Sequence, residues 1–373
     1  MRKPIYLTLA LLLILCLPLY ADFAKLGTSG AQFLKISVGR GSAMGEAFVA
    51  VADDGSATFW NPAGLGLLTA REVNFHHNEW IADIRHEYLS VILPLQDFGT
   101  MGISLTVLTM GEFEYTDVDD PNTSIREDTG TGIMFNAASY CLGFSFGRMF
   151  TDRLAAGVSL KAIGEMVWDM SSTGIAADFG IHYNTGWQGL RLAAAISNFG
   201  SELSYHGRQL DFPYDPYPDS PSGYDDIPSS KKSTPYALPL MFRFGLAMDA
   251  LHNEASRLTV ALDLNHPNDN YETINLGFEY GYLNTVFLRL GYKTYLNIEY
   301  MKAMSGGDPV YDEEADEITY PDWGDKTEYL LNNLTAGVGF NLNMGANALK
   351  VDYAYMNKGI LSHTHRLGLT INF

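Results

Sequence analysis

Two interleaved sets of residues run through most of this chain. Leu240, Phe242, Phe244, Leu246 and Met248 alternate with Met241, Arg243, Gly245 and Ala247, and Val286, Leu288, Leu290 and Tyr292 alternate with Phe287, Arg289, Gly291 and Lys293. The same holds for Leu154, Ala156, Val158 and Leu160 against Ala155, Gly157, Ser159 and Lys161, and for Leu349, Val351, Tyr353 and Tyr355 against Lys350, Asp352 and Ala354. Successive strand side chains point to opposite faces, so each stretch predicts a strand with one large apolar face and one face of Gly, Ala, Ser or charge. From Glu72 onward the pattern predicts about fourteen strands, at 72–81, 85–94, 99–109, 134–149, 153–168, 175–185, 190–199, 238–249, 257–265, 271–282, 285–296, 329–341, 347–357 and 362–373. Alternation of this kind fits a soluble sheet with a core on one side. It fits equally a closed barrel with lipid outside and a polar lumen inside.

The connections separate the two. The even-numbered gaps at 95–98, 150–152, 186–189, 250–256, 283–284 and 342–346 are short, whereas the three long ones, 110–133, 200–237 and 297–328, all belong to the opposite end. Outer-membrane barrels have short turns at one rim and long loops at the other, with an even strand number; a soluble sandwich has no reason for such a division. The expected fold is therefore an all-β, about fourteen-stranded antiparallel transmembrane β-barrel with a short N-terminal helical plug segment.

Three segments follow along the chain. Residues 1–21 read as a signal peptide, with Arg2 and Lys3 before an apolar run to Leu17 and a small residue at Ala21. Cys16 follows Leu15 rather than a small residue, which argues against lipidation. Residues 22–70 form an N-terminal plug with an Asn-Pro-Ala motif, read as a short helix, a Gly-flexed turn and a second short helix. The barrel takes 71–373. With the signal removed only Cys141 remains, so an intramolecular disulfide is excluded. The net charge of -19 disfavours nucleic acid as a partner, because phosphate binding needs a basic face. Much of that charge sits in the long loops, "DVDDPNTSIREDTG", "DFPYDPYPDSPSGYDDIPSS" and "SGGDPVYDEEADEITYPDWGD". None has the ligand spacing of a Ca²⁺ loop, and they read as solvated surface. No metal or other cofactor is expected.

Enzyme chemistry finds little support. "GFSFG" around Ser145 matches the nucleophile elbow, but that motif needs a strand, a sharp turn and a helix, and alternation runs straight through it. Gly39, Gly41 and Gly45 have neither dinucleotide nor P-loop spacing. His76, His77 and His86 fall on the first two strands and read as scattered strand positions rather than metal ligands. The inward charges Lys161, Glu165, Asp178, Arg243, Asp263, Glu279, Arg289, Lys293, Lys350, Asp352 and Arg366 have mixed sign. A selective pore would show a ring of one sign; a plugged lumen would pair them, since a dry unpaired charge is costly.

The N-terminal stretch "GAQFLKISVGRGSAMGEAFVAVADDGSATFWNPAGL" resembles the opening of the PorV/PorQ family of outer-membrane proteins, which is similar in turn to the FadL long-chain fatty-acid transporters. The matching pieces are Phe33-Leu34-Lys35-Ile36, Gly39-Arg40, Ala43-Met44-Gly45, Ala47, Ala52-Asp53-Asp54 and Trp60-Asn61-Pro62-Ala63-Gly64-Leu65. The resemblance implies a bacterial outer-membrane barrel with a plug, in contact with membrane lipids and folded by the barrel-assembly machinery. Its PorV-like side implies type IX secretion or surface attachment, with a larger translocon and secreted cargo as partners; that is the leading expectation. Its FadL-like side implies transport of hydrophobic small molecules. A continuous apolar pocket between plug and wall would favour transport, whereas a packed lumen suits secretion.

The last residues, Leu367, Leu369, Ile371 and Phe373, form one apolar face ending on an aromatic, the form of a C-terminal assembly signal. Deleting Phe373 is expected to reduce the amount of barrel assembled in the membrane, read from the heat-modifiable band of membrane fractions. Normal assembly without it would contradict that reading.

Overall fold

A computed structural model describes residues 29–116, 130–216, 227–296, 310–312, 317–319, 333–345, 347–358 and 363–373. The predicted 1–21 segment and most of the acidic loop residues lie outside them. Fourteen strands form a closed antiparallel ring: β1 Glu72–Glu79, β2 Arg85–Pro94, β3 Thr100–Thr116, β4 Gly130–Met149, β5 Leu154–Val167, β6 Met170–Asn184, β7 Arg191–Gly200, β8 Met241–His252, β9 Ser256–Pro267, β10 Thr273–Tyr282, β11 Val286–Tyr295, β12 Leu334–Met344, β13 Asn347–Asn357 and β14 His363–Asn372. Each pairs with its chain neighbour, and β1 closes on β14 with Glu72 opposite Asn372 and Glu79 opposite His365. The Phe373 amide donates to the Arg71 carbonyl at 3.0 Å, extending the seam by one bond. Closure leaves no open edge, which is the condition for a sheet to sit in lipid.

The alternation is realised strand by strand. Leu160, Ile175, Leu288 and Leu367 face outward and are more than half exposed, while their neighbours Ser159, Arg289 and Arg366 are buried. Several predicted boundaries shift. β3 and β4 run past the predicted 109 and 134 and β6 begins at Met170 rather than 175. β5 and β6 are joined by only Trp168 and Asp169, so this loop-end connection is as tight as any turn at the other rim. Beyond the wall, Asp211–Tyr214 pairs with Ile227–Ser230 and Val310–Asp312 with Glu317–Thr319; these small ladders carry no alternation that would announce them.

Residues 29–71 lie inside the ring. They form three 3₁₀ segments, Gln32–Lys35, Gly39–Met44 and Pro62–Leu67, and one α turn, Ala57–Trp60, in place of two helices. Glycines and Pro62 interrupt the segment too often for longer helices. Gly45 turns the chain at φ 63°. Met44, Phe48, Val49, Trp60 and Leu65 pack on Ile92, Ala193, Ala195, Ala247 and Ala261 of the wall. The wall residues are small because two backbones meet here: a Cβ on Gly291 would sit 1.8 Å from the Gly45 amide nitrogen, and one on Gly157 would sit 2.3 Å from the Pro62 carbonyl oxygen. Neither contact can be relieved by rotating a side chain.

Gly291→Val is therefore expected to push the inner segment off β11 while leaving the ring's backbone ladder possible. The cost should be about 1–3 kcal/mol or more, read as a lower temperature for loss of the compact detergent-resistant form and as faster proteolysis of the inner segment. An unchanged temperature would show that the close approach is not needed.

Candidate functional site: the charged interior and its two chambers

The inward-facing charges hold the inner segment. Asp263 on β9 accepts hydrogen bonds from the Phe48 and Val49 amides at 2.8 and 2.9 Å. Lys293 on β11 pairs with Glu46 at 2.8 Å, and Arg366 on β14 donates to Ser37. Arg243 on β8 donates to Ser197 at 3.0 Å and lies over the Trp60 ring at 5.5 Å. Lys161 pairs with Asp178 at 2.6 Å, whose other oxygen accepts the Asn198 amide at 2.8 Å.

Toward the short-turn rim these contacts merge into one network. Arg40 reaches Asp53 and Asp54 in its own segment and Glu279 on β10 at 3.4 Å. Glu279, almost fully buried, also accepts from Arg289 at 2.7 Å and Arg257 at 3.2 Å, and Arg289 continues to Asp352 at 2.5 Å. A chamber of about 320 Å³ opens beside it, lined by Arg40, Asp53, Asp54, Lys350 and Asp352 among others. Its lining carries charges of both signs, so it offers no field of one sign to select an ion.

The other residues singled out in the sequence take distinct places. The Asn61 side chain donates to the Val49 and Ile181 carbonyls and accepts the Ala63 amide, each at 3.1 Å, fixing the Asn61-Pro62-Ala63 turn between inner segment and β6. Gly39 lies against His76, which stacks on Tyr88 at 5.8 Å. His86 is also buried, but His77 faces outward and meets Glu87 at 2.7 Å, so the three histidines do not converge. Ser145 sits in mid-strand and its hydroxyl meets Ser159 at 2.7 Å; the strand continues on both sides, and no elbow forms. Leu367, Leu369 and Ile371 face outward. Among the described residues no three His, Cys, Asp or Glu side chains gather as metal ligands.

Toward the long-loop rim the interior changes character. Phe33, Leu34 and Ile36 pack with Leu108, Cys141, Ile163, Leu203 and Leu238 in a second apolar cluster. Above it lies a chamber of about 410 Å³ lined by Phe33, Leu108, Met110, Glu165, Tyr205 and Tyr236 among others, a size within the usual range for small-molecule pockets. Phe33 and Glu165 were legible as inner-segment and inward positions. Tyr205 and Tyr236 were not, because they come from the β7–β8 connection, where no alternation marks a facing. Nearby, Asp269 in the β9–β10 turn accepts from Ser29 and Gln32 and pairs with Lys35 at 2.8 Å. Burial alone would raise its pKa, but the hydrogen bonds from Lys35, Ser29 and Gln32 and the Lys35 charge bring it below the ordinary carboxylate value.

A model of the family described as "Uncharacterised protein family (UPF0164)" matches residues 24–187, the inner segment and the first six strands. No curated protein sequence matches the chain. Among solved structures, the Pseudomonas putida toluene transporter TodX superposes with a TM-score of 0.53 at 12% identity, covering 89% of this chain and 96% of TodX. The Ralstonia pickettii toluene transporter TbuX gives 0.50 at 12% identity, with 89% and 96% covered. A Pseudomonas aeruginosa FadL homologue gives 0.48 at 11% identity, with 89% and 97% covered. The likeness to TodX and TbuX is one of fold: a closed antiparallel barrel over nearly the whole of each chain.

Glu279→Gln leaves Arg40, Arg257 and Arg289 facing a neutral amide. Removing one partner of a buried ionic cluster costs about 3 kcal/mol or more, so the variant should lose its compact form at a clearly lower temperature than wild type. Equal thermal stability of the two would show that the network is not dry.

Proposed function

We propose that this chain is an outer-membrane channel admitting small, mainly apolar molecules. The observation that carries the reading is the combination of an apolar outer wall with a loop-rim chamber in a barrel of the toluene-transporter fold. An outer surface bearing Leu160, Ile175, Phe199 and Leu288 more than half exposed would be costly in water at about 25 cal/mol per Å²; hydrocarbon removes that cost. The polar lumen and acidic loops then face water, with the short-turn rim inward and the loop rim toward the medium. The fold neighbours support this reading better than the leading expectation from the sequence, secretion.

One observation speaks for the second reading, a PorV/PorQ-like component of type IX secretion or surface attachment. The middle of the barrel is filled by the Met44, Phe48 and Trp60 cluster, and a secretion component needs no passage. For transport, that segment has to shift or the molecule has to leave sideways.

The discriminating experiment is uptake of radiolabelled toluene by Gram-negative cells with and without the full chain in their outer membrane. Entry several-fold faster with the chain is expected. Unchanged entry, together with stoichiometric co-purification of a much larger barrel from the native membrane, would overturn transport in favour of secretion.

A further inference from the structure

The loop-rim chamber carries a specific polarity. Glu165 is the one charged side chain among its described lining residues, and the remaining polar groups are the hydroxyls of Ser29, Ser139, Tyr205 and Tyr236 and the Gln32 amide. Strand register sets Glu165 directly opposite Ser139 on β4 and Ser172 on β6, so hydroxyl-bearing residues flank its carboxylate on both sides. The Tyr236 hydroxyl donates to it at 2.8 Å. The cations nearby are already engaged: Lys161 with Asp178 at 2.6 Å and Lys35 with Asp269 at 2.8 Å.

The rings add a second element. Tyr205 and Tyr236 have centroids 5.8 Å apart, and Tyr236 is fixed by packing on Gly30 and by the backbone bridge between its own residue and Leu203. A carboxylate with spare acceptor capacity beside two aromatic faces is the chemistry that recognises an organic ammonium group. Phe33, Leu108 and Met110 supply an apolar floor for the body attached to it. A carboxylate-bearing molecule would instead bring a second negative charge against Glu165, with no cation among the described lining residues to meet it.

Resting on the transport reading above, we propose that the chamber is a binding site for amphipathic organic cations, with Glu165 as the counter-charge and Tyr205 and Tyr236 as the aromatic wall. Neutral apolar molecules enter it more weakly, and carboxylates such as fatty acids are disfavoured.

Three probes of like size test this on the full chain in lipid nanodiscs, with empty nanodiscs as the reference: 2-phenylethylammonium, 2-phenylethanol and 3-phenylpropanoate, followed by calorimetry. The ammonium probe is expected to bind at least about tenfold tighter than the carboxylate. Glu165→Gln should abolish that preference, with barrel assembly checked by heat-modifiable migration. Tyr236→Phe, which keeps the ring, should retain most of the ammonium affinity, whereas Tyr236→Leu should lose it. Carboxylate binding as tight as ammonium binding, or an ammonium affinity untouched by Glu165→Gln, would overturn the cation site while 2-phenylethanol binding left the transport reading standing. Failure of all three probes would overturn both.

Discussion

Everything inside this barrel depends on finding partners for the backbone of a segment that has almost no secondary structure of its own. Helices and sheets satisfy their own peptide groups; one-turn 3₁₀ pieces do not. Here the wall does it with side chains. Asp263 takes two successive amides of the inner segment, Thr335 bridges the Gly45 amide and the Ala43 carbonyl, and Arg366 donates to the Ser37 carbonyl. Each bond joins residues far apart in sequence, so these bonds form only inside the ring. The inward charges are thus better understood as backbone partners than as a lining for ions.

The wall contributes by subtraction as well. Glycine and alanine on its inner face let the segment approach to backbone contact, while bulk is moved to the outer face. Large apolar residues outside and small or charged residues inside are two aspects of one alternating code, and that code is why the architecture can be read from the chain. The reading fails where the code is not needed. In the upper parts of β3 and β4 the ladder shifts register between Thr109 and Glu112 and again between Glu114 and Thr116, which breaks the alternation, and the start of β6, Met170-Ser171-Ser172-Thr173-Gly174, has no large apolar residue after Met170 to mark a face.

The interior was legible in kind but not in detail. Lys161, Asp178, Arg289 and Asp352 could be assigned inward from alternation alone, but which meets which depends on register between strands, and one position of slip would exchange the faces. Arg40, Asp53 and Asp54 stood out as a group, yet their joint partner Glu279 lies on a distant strand. Tyr205 and Tyr236 were beyond reach for a different reason: their connection is long, and only its anchoring bridge between Leu203 and Tyr236 sets the rings over the chamber.

The seam between β1 and β14 has a consequence for how the protein comes into being. Its pairing joins residues near the two extremes of the barrel sequence, so no contact order could be higher for these strands, and closure cannot begin until the last strand has been synthesised. Until then both rows of peptide groups stand open, able to pair with any other strand they meet. The contact that completes the ring is thus the last of its strand pairings to become possible.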